Sequence, residues 1–143
     1  MSEIEDHLAQ IPHAAAIGMT LVSRSESGCI VRVPYAEHLV GDPDTGVIHG
    51  GVITALLDNA SGMAVRSGPD TAGEERSMAT LDLRIDYMRP AQPRQDLLAE
   101  AQCYRMTSNV AFVRAIAYHD DRNDPIASSV ATFMMGTKAP PRA

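Results

Sequence analysis

The stretch Gly46-Val47-Ile48-His49-Gly50-Gly51-Val52-Ile53-Thr54-Ala55-Leu56-Leu57-Asp58-Asn59-Ala60-Ser61-Gly62-Met63-Ala64-Val65 decides how this chain folds. No Pro interrupts residues 50–65, and the apolar residues lie nearly all round the helix that this spacing predicts, the pattern of a segment buried on every side. One carboxylate, Asp58, sits inside it. Taking an ionised carboxylate out of water costs several kcal/mol unless it is paired or hydrogen-bonded. Asp58 is therefore either tied down by neighbours or kept where its basicity is used.

Helical spacing places Gly51, Thr54, Ala55, Asp58, Ser61, Gly62 and Val65 on one small, partly polar face, suited to close approach by a second helix or a substrate. The helix opens at His49-Gly50-Gly51. Unpaired amides there, uncovered by side chains, form a donor cluster for a carbonyl oxygen or a developing oxyanion. Seven residues of helix span about 10 Å, too far for Gly51 and Asp58 of one chain to grip the same carbonyl carbon. If both act on one substrate, the glycine amides come from one subunit and Asp58 from another, with antiparallel helices across a two-fold axis.

The flanking sequence reads as a sheet that wraps this helix. Residues 79–88 alternate, with Leu81, Leu83, Ile85 and Tyr87 on one face and Thr80, Asp82, Arg84 and Asp86 on the other, the pattern of a strand buried on one side. Further strands are expected over residues 21–33, with a turn near 25–28, and over 97–106, 110–119 and 126–136. The last three are joined by short polar links, giving an antiparallel meander.

These residues resemble a known family. His49-Gly50-Gly51, then Asp58, then Ala79-Thr80-Leu81-Asp82-Leu83-Arg84-Ile85-Asp86-Tyr87-Met88-Arg89-Pro90-Ala91 is similar to the hotdog-fold acyl-CoA thioesterases of the phenylacetate-degradation type, in the 4-hydroxybenzoyl-CoA thioesterase superfamily. The resemblance runs from Ile17-Gly18-Met19 through Gly41-Asp42-Pro43-Asp44-Thr45-Gly46 to Ala131-Thr132-Phe133. It implies an α+β hotdog fold, an antiparallel sheet wrapped round one long central helix. It also implies dimers, often paired into tetramers, and hydrolysis of an aryl or medium-chain acyl-CoA without metal or cofactor. Matched by position, Asp58 is the catalytic carboxylate, Gly50 the main amide donor to the thioester carbonyl, and His49 the residue that shapes the helix start. Thr80 falls where relatives carry a hydroxyl that positions the attacking water, Gly51 adjoins the donor site, and Asp42 stands where relatives commonly have Asn.

A thioester needs only modest help, because its carbonyl is electrophilic and thiolate leaves readily. Asp58 can deprotonate a water or attack the carbonyl to form an anhydride while a helix-start amide steadies the oxyanion. For the acyl pocket, Leu57, Met63, Met88, Met134 and Met135 are adaptable side chains. The anionic phosphates of CoA call for a local basic patch, with Arg84, Arg89, Arg94, Arg105, Arg114 and Lys138 as candidates and Arg89, at a strand end, preferred.

Composition agrees. A chain of 143 residues with 45% hydrophobic content makes one domain, residues 1–143, whose central helix and single sheet leave surface best covered by a partner. A net charge of −6 and 4% aromatics argue against nucleic acid. There is no long apolar span, and no basic N-terminal region followed by an apolar one, so a cytoplasmic protein without a membrane segment is expected. Cys29 and Cys103 are too few and too far apart for a disulfide framework, and free thiols are expected. His7, His13, His38 and His119 show no metal-ligand spacing and read as surface or packing residues. Two other functions stay open: an enoyl-CoA hydratase of the same fold, which would recruit His49 with Asp42 or Asp44, and a non-catalytic acyl-CoA binding module.

Overall fold

The computed structural model describes residues 7–68 and 76–138. A short helix, α1 (Pro12–Ile17), starts with Pro in its first turn and stops at Gly18, whose φ of 86° is open to glycine and whose N–H donates to Ala14 and Ala15 carbonyls. Strands β1 (Thr20–Arg24) and β2 (Gly28–Val33) follow as a hairpin, then a single 3-10 turn at Glu37–Leu39. Next come a small hairpin of β3 (Val40–Asp42) and β4 (Val47–Ile48), and the long helix α2 (Gly50–Arg66). The chain closes with β5 (Arg76–Tyr87), β6 (Leu97–Met106), β7 (Val110–Tyr118) and β8 (Ala127–Lys138).

Six strands form one antiparallel sheet in the order β1-β2-β6-β7-β8-β5, and α2 packs across it. The expected hotdog arrangement is present: an antiparallel sheet against one long helix. Alternation explains the packing, because Leu97, Ala99 and Ala101 of β6, Ala111, Val113 and Ala115 of β7, and Ala131 and Phe133 of β8 all turn buried side chains to the helix. The many alanines keep that face shallow, so Leu56, Leu57 and Ala60 of α2 descend onto it and are wholly buried. Each of the two leucines contributes roughly 1.5–3 kcal/mol of burial.

Two expectations need correction. Within one chain α2 is not buried on every side: Gly51 is exposed and Thr54, Ala55, Asp58 and Gly62 are half-exposed, while Ser61 and Val65, expected on the same face, are buried in the core. Strand β5 lies at the sheet edge and its apolar face is only partly covered: Leu83 and Ile85 pack against the core, whereas Leu81 and Tyr87 are 55% and 52% exposed.

The pairing of β5 with β8 slips between Thr80 and Asp82: Thr80 stands opposite Phe133 and Asp82 opposite Thr132, leaving Leu81 as the extra residue of a bulge. A bulge reverses the alternation on one side of it. Thr80 therefore shares the helix-facing side with Ile85 and Tyr87 and not the outer side with Asp82 and Arg84, where simple alternation places it.

Candidate functional site

The start of α2 is built by its own sequence. His49 takes extended dihedrals (φ −58°, ψ 135°) and its Nδ1 accepts the Gly51 N–H at 2.8 Å, a side-chain N-cap. A Cβ on Gly51 would lie 2.9 Å from that nitrogen, so glycine keeps the cap open. The cap also settles which amide is free. The Gly51 N–H, expected beside the substrate, is already taken by His49, whereas the Gly50 N–H has no partner among the described residues and Gly50 is exposed.

Two neighbours fix this turn. The His49 N–H donates to the Leu39 carbonyl at 2.9 Å, and Gly41 of β3 presses so closely that a Cβ there would meet His49 Cα at 2.7 Å. From the other side Tyr87 of β5 donates its hydroxyl to the Gly50 carbonyl at 3.2 Å and lies 2.5 Å from Thr54 Oγ1. The peptide between Gly50 and Gly51 is thus held at its N–H by His49 and at its carbonyl by Tyr87, an arrangement that residue spacing alone does not disclose.

Further along α2, Asp58 is half-buried and its Oδ1 accepts a hydrogen bond from Thr80 Oγ1 at 3.0 Å. The bulge at Leu81 makes this contact, by turning Thr80 inward. A cavity of about 180 Å³ opens beside the pair. Helix α2 supplies Asp58, Asn59, Gly62, Met63 and Arg66 to it; Met78 and Thr80 of β5 and Phe133 of β8 face them, and His7 and Ile11 close the side. Of the side chains expected to line an acyl pocket, Met63 is here. Leu57 and Met135 are buried in the core, and Met88 and Met134 are exposed. Arg66 stands two turns beyond Asp58 on the same stripe, a spacing of four and four visible in the sequence but not singled out there.

The other candidates lie apart from this cavity. Asp42 is exposed at the end of β3, where its carboxylate accepts the Asp44 N–H at 3.0 Å and shapes the turn. Arg89 is committed to Asp124, reaching its carboxylate at 3.3 Å and its carbonyl at 2.8 Å, which ties the end of β5 to the loop before β8. Arg84 pairs with Asp86, and Arg114 lies 4.1 Å above the Tyr104 ring. Arg94 adopts φ 60°, unusual for a side-chain-bearing residue, with its guanidinium against the Gly46 turn that leads into His49.

His119 is buried. Its Nε2 accepts the Gln92 N–H and its Nδ1 donates to the Asp96 carbonyl, both at 2.8 Å, so it packs a loop as expected. Cys29 and Cys103 are free thiols. The Cys29 thiol donates to the Ala60 carbonyl of α2, and burial pushes its pKa up to about 12. Among the described residues, no group of three or more His, Cys, Asp and Glu side chains clusters as a metal site, and no helix is long and apolar enough to cross a membrane.

Chemically, the site offers a carboxylate bonded to a hydroxyl in a cavity of mixed polar and apolar lining, and a separate free amide at a helix start. For the hydratase alternative, no hydrogen bond or ion pair joins His49 to Asp42 or Asp44 among the described residues: His49 caps its own helix and Asp42 bonds its own turn.

Similarity to known proteins points the same way. A sequence profile of the thioesterase superfamily matches residues 45–126. The chain is 38% identical over 96 residues to a Halobacterium salinarum protein provisionally named an esterase, a match covering 66% of this chain and 61% of that one, less than two thirds of the relative's length. It is 30% identical over 136 residues to the medium/long-chain acyl-CoA thioesterase YigI of Escherichia coli, covering 88% of this chain and 86% of the relative. A crystal structure of a Pseudomonas aeruginosa protein superposes with a TM-score of 0.81 at 40% identity, covering 92% of this chain and 95% of that one.

Proposed function

The chain belongs to the thioesterase superfamily, a family of thioester hydrolases, and from that membership we propose that it hydrolyses acyl-CoA, with Asp58 activating the attacking water. The observation that carries this reading is the Thr80–Asp58 hydrogen bond at the mouth of the cavity. Thr80 spends its only proton on Oδ1, which leaves Oδ2 and the hydroxyl lone pairs to hold a water between them. Asp58 takes the proton of that water as its oxygen attacks the thioester carbon; the carbonyl oxygen becomes an oxyanion, and its collapse expels CoA as thiolate.

The oxyanion needs a donor that Asp58's own helix does not offer nearby, since Gly50 lies eight residues away, roughly 12 Å along the axis. We assign that donor to the Gly50 N–H of a second subunit, with the two α2 helices antiparallel across a dimer axis. Exposed Gly51, the half-exposed stripe of Thr54, Ala55, Asp58 and Gly62, and the unpaired edge of strand β5 support this assembly. Pairing of such dimers into tetramers extends the same reading.

The cavity argues for a compact acyl group, because about 180 Å³ is close to the roughly 150 Å³ cavity known to hold benzene. A ring or short chain fits within one subunit; a longer chain would need space at the interface. For the CoA phosphates, Arg94 replaces Arg89 as our candidate, since Arg89 is occupied by Asp124 while Arg94 flanks the turn before the helix start. Two free thiols fit a reducing, cytoplasmic setting.

The test is CoA release across aryl and straight-chain acyl-CoAs by wild type and Asp58→Asn side by side. We expect turnover in wild type and its loss in the variant with acyl-CoA binding kept. A variant retaining most of its rate would remove Asp58 from the mechanism. Wild type inactive on every thioester would leave the binding-module reading.

A further inference from the structure

We propose that Arg66 reads the far end of the acyl group, and that the preferred substrates are acyl-CoAs whose short acyl chain ends in a carboxylate. This rests on the reading of Asp58 as the residue at the thioester. Arg66 and Asp58 line the same cavity from one stripe of α2, with Gly62 between them offering no side chain to divide it. The cavity's apolar lining comes from Ile11, Met63, Met78 and Phe133.

Arg66 differs from Arg89, whose buried Nε also lacks a partner, in having no ion pair among the described residues. Its Nε is buried without a hydrogen-bond partner among the described residues, and it forms no ion pair there. An arginine in the last turn complements the helix dipole, but it does so equally well with its head group in water. Arg66 is half-buried with its Nε unpaired among the described residues, and such a donor at a cavity wall fits a ligand that brings the acceptor. A half-buried guanidinium stays charged, and its fork matches a carboxylate in two parallel hydrogen bonds.

The remaining polar groups leave that end to Arg66. Asn59 gives its amide nitrogen to the Ala55 carbonyl at 2.8 Å. His7, which also lines the cavity, is held below its ordinary pKa, first by burial and then by the Arg66 charge, and so stays neutral near pH 7. Asp58 at the mouth repels a second carboxylate. A ligand carrying one is therefore oriented with its charge at Arg66 and its thioester at Asp58, the order that hydrolysis requires.

The experiment compares kcat/KM for succinyl-, glutaryl- and adipyl-CoA with butyryl-, valeryl- and hexanoyl-CoA, which match them in chain length but lack the terminal carboxylate. Full-length wild type, Arg66→Gln and Arg66→Lys are assayed. In wild type at least one carboxylated substrate should be favoured by roughly ten- to a hundred-fold over its neutral partner. Arg66→Gln should lose that preference through a raised KM for the carboxylated substrate alone, and Arg66→Lys should keep part of it. Equal kcat/KM within every pair in wild type overturns the proposal, and so does an equal loss on both members in Arg66→Gln. Calorimetric binding of the same pairs to Asp58→Asn and to Asp58→Asn with Arg66→Gln separates this claim from hydrolysis itself. If wild type releases no CoA, the hydrolase reading falls, and equal affinities within each pair would then remove Arg66's role as well.

Discussion

The hydroxyl of Thr80 has a task its methyl group cannot share, holding Asp58 Oδ1 at 3.0 Å. Thr80→Val keeps the shape and removes the bond, so kcat should fall by about a hundred-fold with little change in KM, while Thr80→Ser keeps most of the rate. Steady-state kinetics on one good substrate decides it, and an unchanged kcat in Thr80→Val would show the bond to be structural. Cys29 carries a second prediction, on stability. Its thiol is shifted by burial from the ordinary value of 9.0 to about 12. Between those pH values the unfolded thiol has lost its proton and the folded one keeps it, so stability falls as pH rises through that window and is fully present below it. The loss is on the order of 4 kcal/mol. Urea midpoints from pH 8 to pH 11 should drop in wild type by more than in Cys29→Ala. Asp58 was legible as a candidate because a carboxylate among apolar helix residues demands a reason. Thr80 was legible only by resemblance, since alternation alone turns it to the outer face and the single-residue bulge at Leu81 leaves no mark in the hydrophobic pattern.

At the scale of elements, the small hairpin of β3 and β4 does more than link two larger parts. It supplies the Gly41 backbone against which His49 is set, while the 3-10 turn before it supplies the Leu39 carbonyl, and His49 in turn caps α2. Gly41→Ala places a methyl group 2.7 Å from His49 Cα, a backbone atom that cannot swing aside. We expect a destabilisation of about 1–3 kcal/mol by urea denaturation, with a loss of kcat as the Gly50 amide is re-aimed. Native stability and activity would show that the hairpin yields without cost. The long elements were legible because their patterns persist: β6 occupies residues 97–106 as expected, and α2 begins at the Gly pair. The hairpin was not, because strands of three and two residues are too short to establish a period and Asp42-Pro43-Asp44-Thr45-Gly46 reads simply as a turn. Burial on every side of α2 was over-read for a different reason. Small residues such as Gly51, Ala55 and Gly62 suit either a core or a close contact with another subunit, and sequence alone does not distinguish the two.

For the whole molecule, the exposed face of α2 and the uncovered edge of β5 pose one problem with one solution. A twelve-residue edge strand bearing exposed Leu81 and Tyr87 invites pairing with another chain, and a second copy would cover it and the helix stripe together. Leu81→Asp should therefore shift the protein toward monomer in sedimentation velocity and lose activity with it. A sharper test asks whether each site is shared. Gly50→Pro removes the free amide with little strain, because proline suits the first position of a helix and His49 already has the extended dihedrals that a following proline requires. Alone it should be inactive, as should Asp58→Asn. In a heterodimer of the two, one site combines the intact Gly50 of the Asp58→Asn chain with the intact Asp58 of the Gly50→Pro chain, while the other site carries both defects. Random mixing makes half of the dimers mixed, with one of two sites restored in each, so about a quarter of wild-type activity should return on co-refolding. Two inactive variants that stay inactive together, although mixed dimers are shown by mass spectrometry, would mean that Gly50 and Asp58 serve the same substrate from one chain or not at all.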